Sequence, residues 1–295
     1  MVLIGKIMKD NIHQESMTLS DIFNILKSNI KFITAFTSAS VLISIIYSLF
    51  LPNIYTSKAL LSIVEDNDSP VSMSSVLSQY SGIASLAGIG SSGMNTKQKY
   101  AIEVINSREF LKHLLTFDGV LESLYAVDYY DESSKQLYFN NEVFDNEKKE
   151  WIRSVPKNRQ LIPSHLEVYK TYQETISLEE DLKSGYLKLS VSHISPIFSE
   201  YFLSLIINEA NKLSKDKDMK ESSDALVYLN EQLLNTMQAD VRKSMNKIIE
   251  NQLKIQMLSN IKSDYLLSII DTPYIPEVKS APSRSIITIT GSLIG

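Results

Sequence analysis

Phe32–Leu51 reads FITAFTSASVLISIIYSLFL, twenty residues without a charge, a Gly or a Pro, and Pro52 stops it. A helix of that length extends roughly 30 Å, the thickness of a bilayer's hydrocarbon core. Core helices of soluble domains rarely run so far without a charge. The run is too long for the apolar part of a signal peptide, and a polar stretch of 31 residues precedes it. It therefore reads as a transmembrane helix. Lys27 and Lys31 lie just before it. Glu65, Asp66 and Asp68 dominate the stretch after it, with Lys58 the nearest base. The positive-inside rule puts the N-terminus in the cytoplasm.

Ser285–Gly295, SIITITGSLIG, is also apolar and uncharged. Eleven residues cannot cross a bilayer. They read as the beginning of a second, truncated span, with a short hydrophobic tail as the plain alternative. Charge separates the parts: the formal net charge is −5, with +1 in residues 1–51, +1 in 284–295 and −7 between them. The expected layout is a cytoplasmic N-terminus at 1–31, a transmembrane helix at 32–51, an outer domain at 52–283, and the start of a second transmembrane helix at 284–295.

Within the outer domain, Ile54–Glu65 has the β-branched and aromatic content of a strand. Residues 68–96 are rich in Ser and Gly and read as a loop. The 3- and 4-residue spacing of Ala101, Val104, Ile105, Leu111, Leu114 and Leu115 predicts a helix over Thr96–Phe117. A shorter helix is expected near Asn146–Ser154. Gly185–Ile194 alternates polar and apolar like a half-buried strand, and Ser195-Pro196 looks like a helix start, with Ser as cap and Pro in the first turn.

Residues 197–272 contain neither Gly nor Pro, although the chain has 9 Gly and 8 Pro. Leu226, Leu229, Leu233, Met237, Val241, Met245, Ile248, Gln252 and Ile255 recur there at helical steps. The expectation is a very long helix over about 197–271, roughly 110 Å if continuous. Such a stripe needs a partner helix, in the same chain or in neighbouring copies. No second helix of that length is evident elsewhere, so self-association is the economical reading. Leu233, Val241 and Ile248 are the candidate oligomer contacts. Pro273, Pro276 and Pro282 then make an extended exit that ends at Arg284.

Chemical signatures are sparse. The chain has no Cys, which excludes disulfides, thiolate metal sites and a Cys nucleophile; its four His lie far apart. Gly88-Ile89-Gly90-Ser91-Ser92-Gly93 matches G-x-G-x-x-G, but neither a strand before it nor a second strand with an acidic tip accompanies it, so a loop is the better reading. No P-loop and no G-x-S-x-G is present. Acidic groups such as Glu179, Glu180 and Asp181, or Asp128, Asp131 and Glu132, read as solvated surface. The Tyr and Trp content suits packing better than sugar stacking. No catalytic, cofactor or metal residue is assigned.

Several local stretches resemble the bacterial chain length determinant family, the Wzz-type polysaccharide co-polymerases. They are Leu51-Pro52-Asn53-Ile54-Tyr55-Thr56-Ser57-Lys58-Ala59, Gly82-Ile83-Ala84-Ser85-Leu86-Ala87-Gly88, Ile105-Asn106-Ser107-Arg108-Glu109-Phe110-Leu111, His193-Ile194-Ser195-Pro196, and the run through Pro273, Pro276, Pro282 and Arg284. Together they cover roughly residues 18–295. The Pro-rich run is thinner than usual, with Lys279 and Ala281 in it. The resemblance implies an α+β protein with a membrane-proximal base, a long helix projecting into the periplasm, and a transmembrane helix at each end. It also implies a non-enzymatic role in the bacterial inner membrane: setting the chain length of O-antigen or capsule beside a membrane polymerase, on lipid-linked polysaccharide, as a homo-oligomeric ring, often an octamer. Two other readings stay open, an inner-membrane component of a polysaccharide exporter and a two-span membrane sensor.

Overall fold

The computed structural model describes residues 27–64, 96–181, 183–262 and 264–294. Most of the N-terminal flank and the Ser/Gly-rich stretch, Gly88–Gly93 included, lie outside the described residues. The chain divides into two compact units, one of residues 1–52 with 281–295, the other of residues 53–280.

In the first unit, α1 (Ile30–Phe50) is the apolar run, begun two residues earlier than the sequence suggests. Its C-cap, Leu51, is already extended, as a residue before Pro must be. The unit is completed by α8 (Arg284–Ile294), which packs along α1.

The second unit is built on a four-stranded antiparallel sheet, order β6-β7-β1-β8. Its strands are β1 (Tyr55–Ile63), β6 (Ile176–Glu180), β7 (Leu187–His193) and β8 (Leu267–Asp271). The two central strands alternate as the sequence predicts. Ser57, Ala59 and Leu61 of β1 are buried on one face with Leu187, Leu189 and Val191 of β7; Lys58 and Lys188 stay exposed on the other. That period of two is the signature of a sheet covered on one side only.

Helices cover the buried side: α2 (Thr96–Ile105), α3 (Arg108–Leu114), α4 (Val120–Tyr125), α5 (His165–Thr175) and the first half of α6 (Pro196–Asn235). The single helix expected over Thr96–Phe117 is two. Ser107 sits extended between them and accepts a hydrogen bond from the Phe110 N–H at 3.1 Å, a new cap inside the periodic pattern. The predicted faces still meet the core: Ala101, Ile105, Leu111 and Leu114 are fully buried. Ser195 caps α6 and Pro196 occupies its first turn, as expected.

Between α4 and α5 lie two small hairpins, β2 (Val127–Asp131) with β3 (Gln136–Phe139), and β4 (Phe144–Asp145) with β5 (Glu150–Trp151). The second replaces the helix expected near Asn146–Ser154. Asp145 accepts from the Glu147 and Lys148 N–H groups at 2.9 and 3.0 Å, Lys149 takes a left-handed φ of +55°, and Phe144 packs edge-on against Trp151 at 5.1 Å. An Asx turn of this kind competes directly with helix for the same backbone groups.

The long helix is also corrected. The expected continuous element ends at Asn235, breaks over Thr236–Gln238, and resumes as α7 (Ala239–Ile261). Thr236 and Gln238 are both extended, with ψ near +120°. α7 folds back antiparallel on α6, and Ser222 Oγ donates to the Gln252 carbonyl at 2.9 Å. Residues 267–271, read as the end of the helix, form β8 instead. The apolar stripe thus finds its partner within the chain, so an unpaired stripe no longer argues for self-association. The fold-back leaves α6 about 60 Å long and α7 about 35 Å, well short of a continuous rod.

Candidate functional site: the apolar helix pair, the exit segment and the helical hairpin

In the first unit, the face α1 turns to α8 is made of small residues. Thr37, Ser40, Val41, Ser44 and Ser48 are its least exposed positions, and Arg284, Ile287, Thr288 and Gly291 are those of α8. Ser40 Oγ donates to the Gly291 carbonyl at 2.7 Å. A Cβ on Gly291 would meet the Ser44 side chain, with Ser44 Cβ only 2.6 Å away. Close backbone approach through small residues, with a hydroxyl-to-carbonyl bond across the pair, is how helices associate in lipid, where apolar burial gives no driving force. The rest of α1 presents Phe32, Phe36, Leu42, Ile43 and Phe50 outward, each more than half exposed. Among the described helices, α1 alone has the length and composition to cross a bilayer; α8 is a shorter apolar helix.

In the second unit, the segment after β8 runs without regular structure over residues 272–280. Ser57 Oγ donates to the Tyr274 carbonyl at 2.7 Å, and the Ser280 N–H donates to the Ile54 carbonyl at 2.8 Å. Pro276 is buried and Pro273 half-buried. The four expected motif residues are divided: Pro273 and Pro276 belong to the second unit, Pro282 and Arg284 to the first.

The candidate contact residues lie on the helical hairpin. Leu233 is half-buried on α6, whereas Val241 and Ile248 on α7 are 40% and 46% exposed. Their apolar neighbours are more open still: Leu234 is 88% and Met237 99% exposed. Between the helices, Ser222 and Ser259 are almost fully buried, which lets the backbones approach closely.

Arg153, His193 and Asn211, buried in the second unit, are committed to structure. Arg153 donates to Glu167 at 2.7 Å, to the Tyr125 hydroxyl at 2.9 Å and to the Leu161 and Gln160 carbonyls. Glu167 also completes a capping box with Ser164 on α5. The Arg153 guanidinium holds its carboxyl down to about 2. His193 is buried, accepts from the Ser195 N–H at Nδ1 and donates from Nε2 to the Ser123 carbonyl at 2.9 Å; burial lowers its pKa to about 4. Such a histidine is neutral at pH 7 and ties α4 to the start of α6. Asn211 on α6 accepts from the Leu266 and Leu267 N–H groups at 2.8 and 2.7 Å and donates to the Leu267 carbonyl at 2.9 Å. Of these, Asn211 borders a shallow cavity of about 280 Å³ with Asn208, Lys212, Lys215, Asp264 and Ile269, but its amide is already spent on backbone groups.

On the open sheet face, Lys58, Glu179, Lys188 and Asp271 surround a shallow groove of about 430 Å³, with both signs of charge mixed. No group of three metal-ligating side chains occurs among the described residues. Sequence reasoning missed the Arg153–Glu167 pair and Asn211. The Ser164-x-x-Glu167 spacing is a visible capping signal, whereas nothing local marks Asn211.

The chain is an α+β protein: its first unit holds one helix long and apolar enough to cross a membrane, and its second joins a half-covered antiparallel sheet to a helical hairpin. Residues 15–116, about a third of the chain, match the family model described as Wzz, chain length determinant protein. The matched segment holds α1, β1, α2 and α3, and here the resemblance read from the sequence stands. No curated protein matches the chain. Among solved structures, a fragment of WzzB, a polysaccharide co-polymerase from Salmonella Typhimurium, is similar at 12% identity and a TM-score of 0.32, covering 78% of this chain and 100% of that one. A full-length bacterial polysaccharide co-polymerase is similar at 13% identity and a TM-score of 0.34, covering 94% and 93%.

Proposed function

We propose that this chain is a non-catalytic, oligomeric regulator of surface polysaccharide chain length, of the O-antigen or capsule kind. In this reading it sits in the bacterial inner membrane with residues 52–283 in the periplasm, and α8 opens a second span. It acts beside a membrane polymerase on lipid-linked repeats. The match of residues 15–116 to the chain length determinant family carries the reading. That segment includes both the membrane helix and the central strand of the outer unit, so the match joins the anchor to the fold it holds. The pairing of α1 with α8 agrees with it. Contacts between copies, rather than a catalytic side chain, are then what function depends on.

Deleting the gene is expected to turn a modal surface-polysaccharide ladder on a gel into a broad distribution, restored by the plasmid-borne chain. An unchanged ladder overturns the reading. Loss of all surface polysaccharide instead assigns the chain to export.

A further inference from the structure

The β2–β3 hairpin carries a pair of aromatic rings that the rest of the outer unit leaves open. The register pairs Tyr129 with Tyr138 and Asp131 with Gln136, so all four side chains lie on one face. The two rings stack at 4.6 Å, 6° from parallel, yet stay 52% and 36% exposed. Each ring spends one face on the other. The sheet has two strands, so among the described residues no third strand covers the outer faces. The hairpin is held in place within the unit, because Glu132, in its turn, accepts from the Tyr55 hydroxyl at 2.5 Å.

Asp131 stands two residues from Tyr129 on the same strand, roughly 7 Å along it. Its carboxylate accepts from the Ser134 hydroxyl at 2.7 Å and from the Ser133 N–H at 2.9 Å. These bonds hold the carboxyl below the usual carboxylate range, so it is charged at neutral pH. They use two of about four lone-pair sites. An open tyrosine face beside an ionised carboxylate is a receptor for a guanidinium, which stacks on the ring and donates to the oxygens. The outer unit uses this recognition internally: Arg153 lies 5.3 Å from the Tyr125 ring centroid and donates to Glu167 at 2.7 Å. Tyr129 and Asp131 present the same pair of groups to solvent.

The chain has five arginines. Arg108 lies over Tyr169, Arg153 and Arg159 reach Glu167, and Arg284 belongs to the first unit. Arg242 is in the first turn of α7, at the tip of the helical hairpin. The other end of that hairpin, the start of α6, is tied by His193 to α4, which leads into β2. About 60 Å of α6 separates the two ends, so copies of the unit standing side by side do not bring Arg242 to the stack. The β2–β3 hairpin carries Asp128, Asp131 and Glu132 against Lys135 alone, a balance that favours a cationic partner. We infer that the Tyr129–Tyr138 stack and Asp131 dock an arginine-bearing, basic segment of a different protein. The inference rests on the outer unit alone and is independent of chain-length control.

Two dye-labelled peptides of equal charge, Gly-Arg-Gly-Arg-Gly and Gly-Lys-Gly-Lys-Gly, are titrated against the detergent-solubilised full-length protein and followed by fluorescence anisotropy. The arginine peptide is expected to bind several-fold more tightly than the lysine peptide, and both to weaken as salt rises. Asp131→Asn keeps an oxygen for the turn to Ser133 and Ser134 but removes the charge, and weakens both peptides several-fold. Tyr129→Leu with Tyr138→Leu keeps an apolar cross-strand pair and removes the preference for arginine. Glu147→Gln, an exposed acid in the β4–β5 turn, changes neither. Equal binding of the two peptides, or binding that both hairpin variants leave intact, overturns the inference. So does displacement of the peptide by neutral dextran, which makes the stack a saccharide site. A fall in oligomer mass on adding the arginine peptide, matched by Arg242→Ala, gives the arginine to another copy of this chain and overturns it too.

Discussion

Single residues close the outer unit where backbone geometry leaves polar groups without partners. Asn211 satisfies three backbone groups of Leu266 and Leu267 with one amide, at the point where β8 joins the sheet under α6. Asn211→Leu keeps the branched shape but orphans these groups, at a cost of about 2–4 kcal/mol. The expected outcome is a lower urea midpoint in a chemical unfolding series, with the slope unchanged. Glu167 contributes differently, because its carboxyl is held at about 2 in the folded chain against an ordinary 4.5. A depressed carboxylate stabilises fully above its unfolded value, and the contribution is lost as pH falls from 4.5 toward 2. Glu167→Gln is expected to cost about 1–3 kcal/mol at pH 7, less than a fully buried pair because the side chain stays partly exposed. Its stability curve loses the fall in that acid window. His193, depressed from 6.5 to about 4, works in the same direction one window higher: folding is weakened as pH drops from 6.5 to 4 and the unfolded chain takes up the proton first.

At the scale of elements, close approach is bought with small side chains in both hairpins. Ser222 and Ser259 are buried between α6 and α7, and Gly291 lies against Ser44 between α1 and α8. Ser222→Leu is expected to destabilise the helical hairpin by about 1–3 kcal/mol through overpacking, read as faster amide exchange in α7 while the sheet is unaffected. Gly291→Val forces α8 off α1, and a disulfide engineered between the two helices then forms poorly in membranes. The strands β1 and β7 and the cap at Ser195 were legible in the sequence because a period of two and an N-cap are local signals. The break at Thr236–Gln238 was not. It uses neither Gly nor Pro, and the apolar stripe runs through it unchanged, since a stripe that suits one long helix suits two that pair. Trp151 was read into a helix because its strand partner, Phe144, is too close in sequence and too short a strand to show alternation. Of the candidate contact residues, the period placed Leu233, Val241 and Ile248 on one stripe, but which of them face inward depends on the fold-back.

For the whole molecule, that division decides how assembly is tested. Leu233 is half-buried on α6, so a polar group there disturbs the hairpin before it reaches any neighbour. Val241 and Ile248 on α7 stand out from it with nearly half their surface free, beside Leu234 and Met237. Exposed apolar surface of this kind on an otherwise acidic unit is a candidate association surface. If copies of the chain meet through the helical hairpins, Val241→Asp and Ile248→Asp lower the mass of the detergent-solubilised oligomer without changing the unfolding midpoint of the monomer. Leu233→Asp lowers both. Under the chain-length reading, the two α7 variants also broaden the polysaccharide ladder in cells that express them at wild-type levels. Oligomer mass and ladder unchanged in both α7 variants place the contact elsewhere, on the sheet-bearing part of the unit. A changed mass with an unchanged ladder separates assembly from length control.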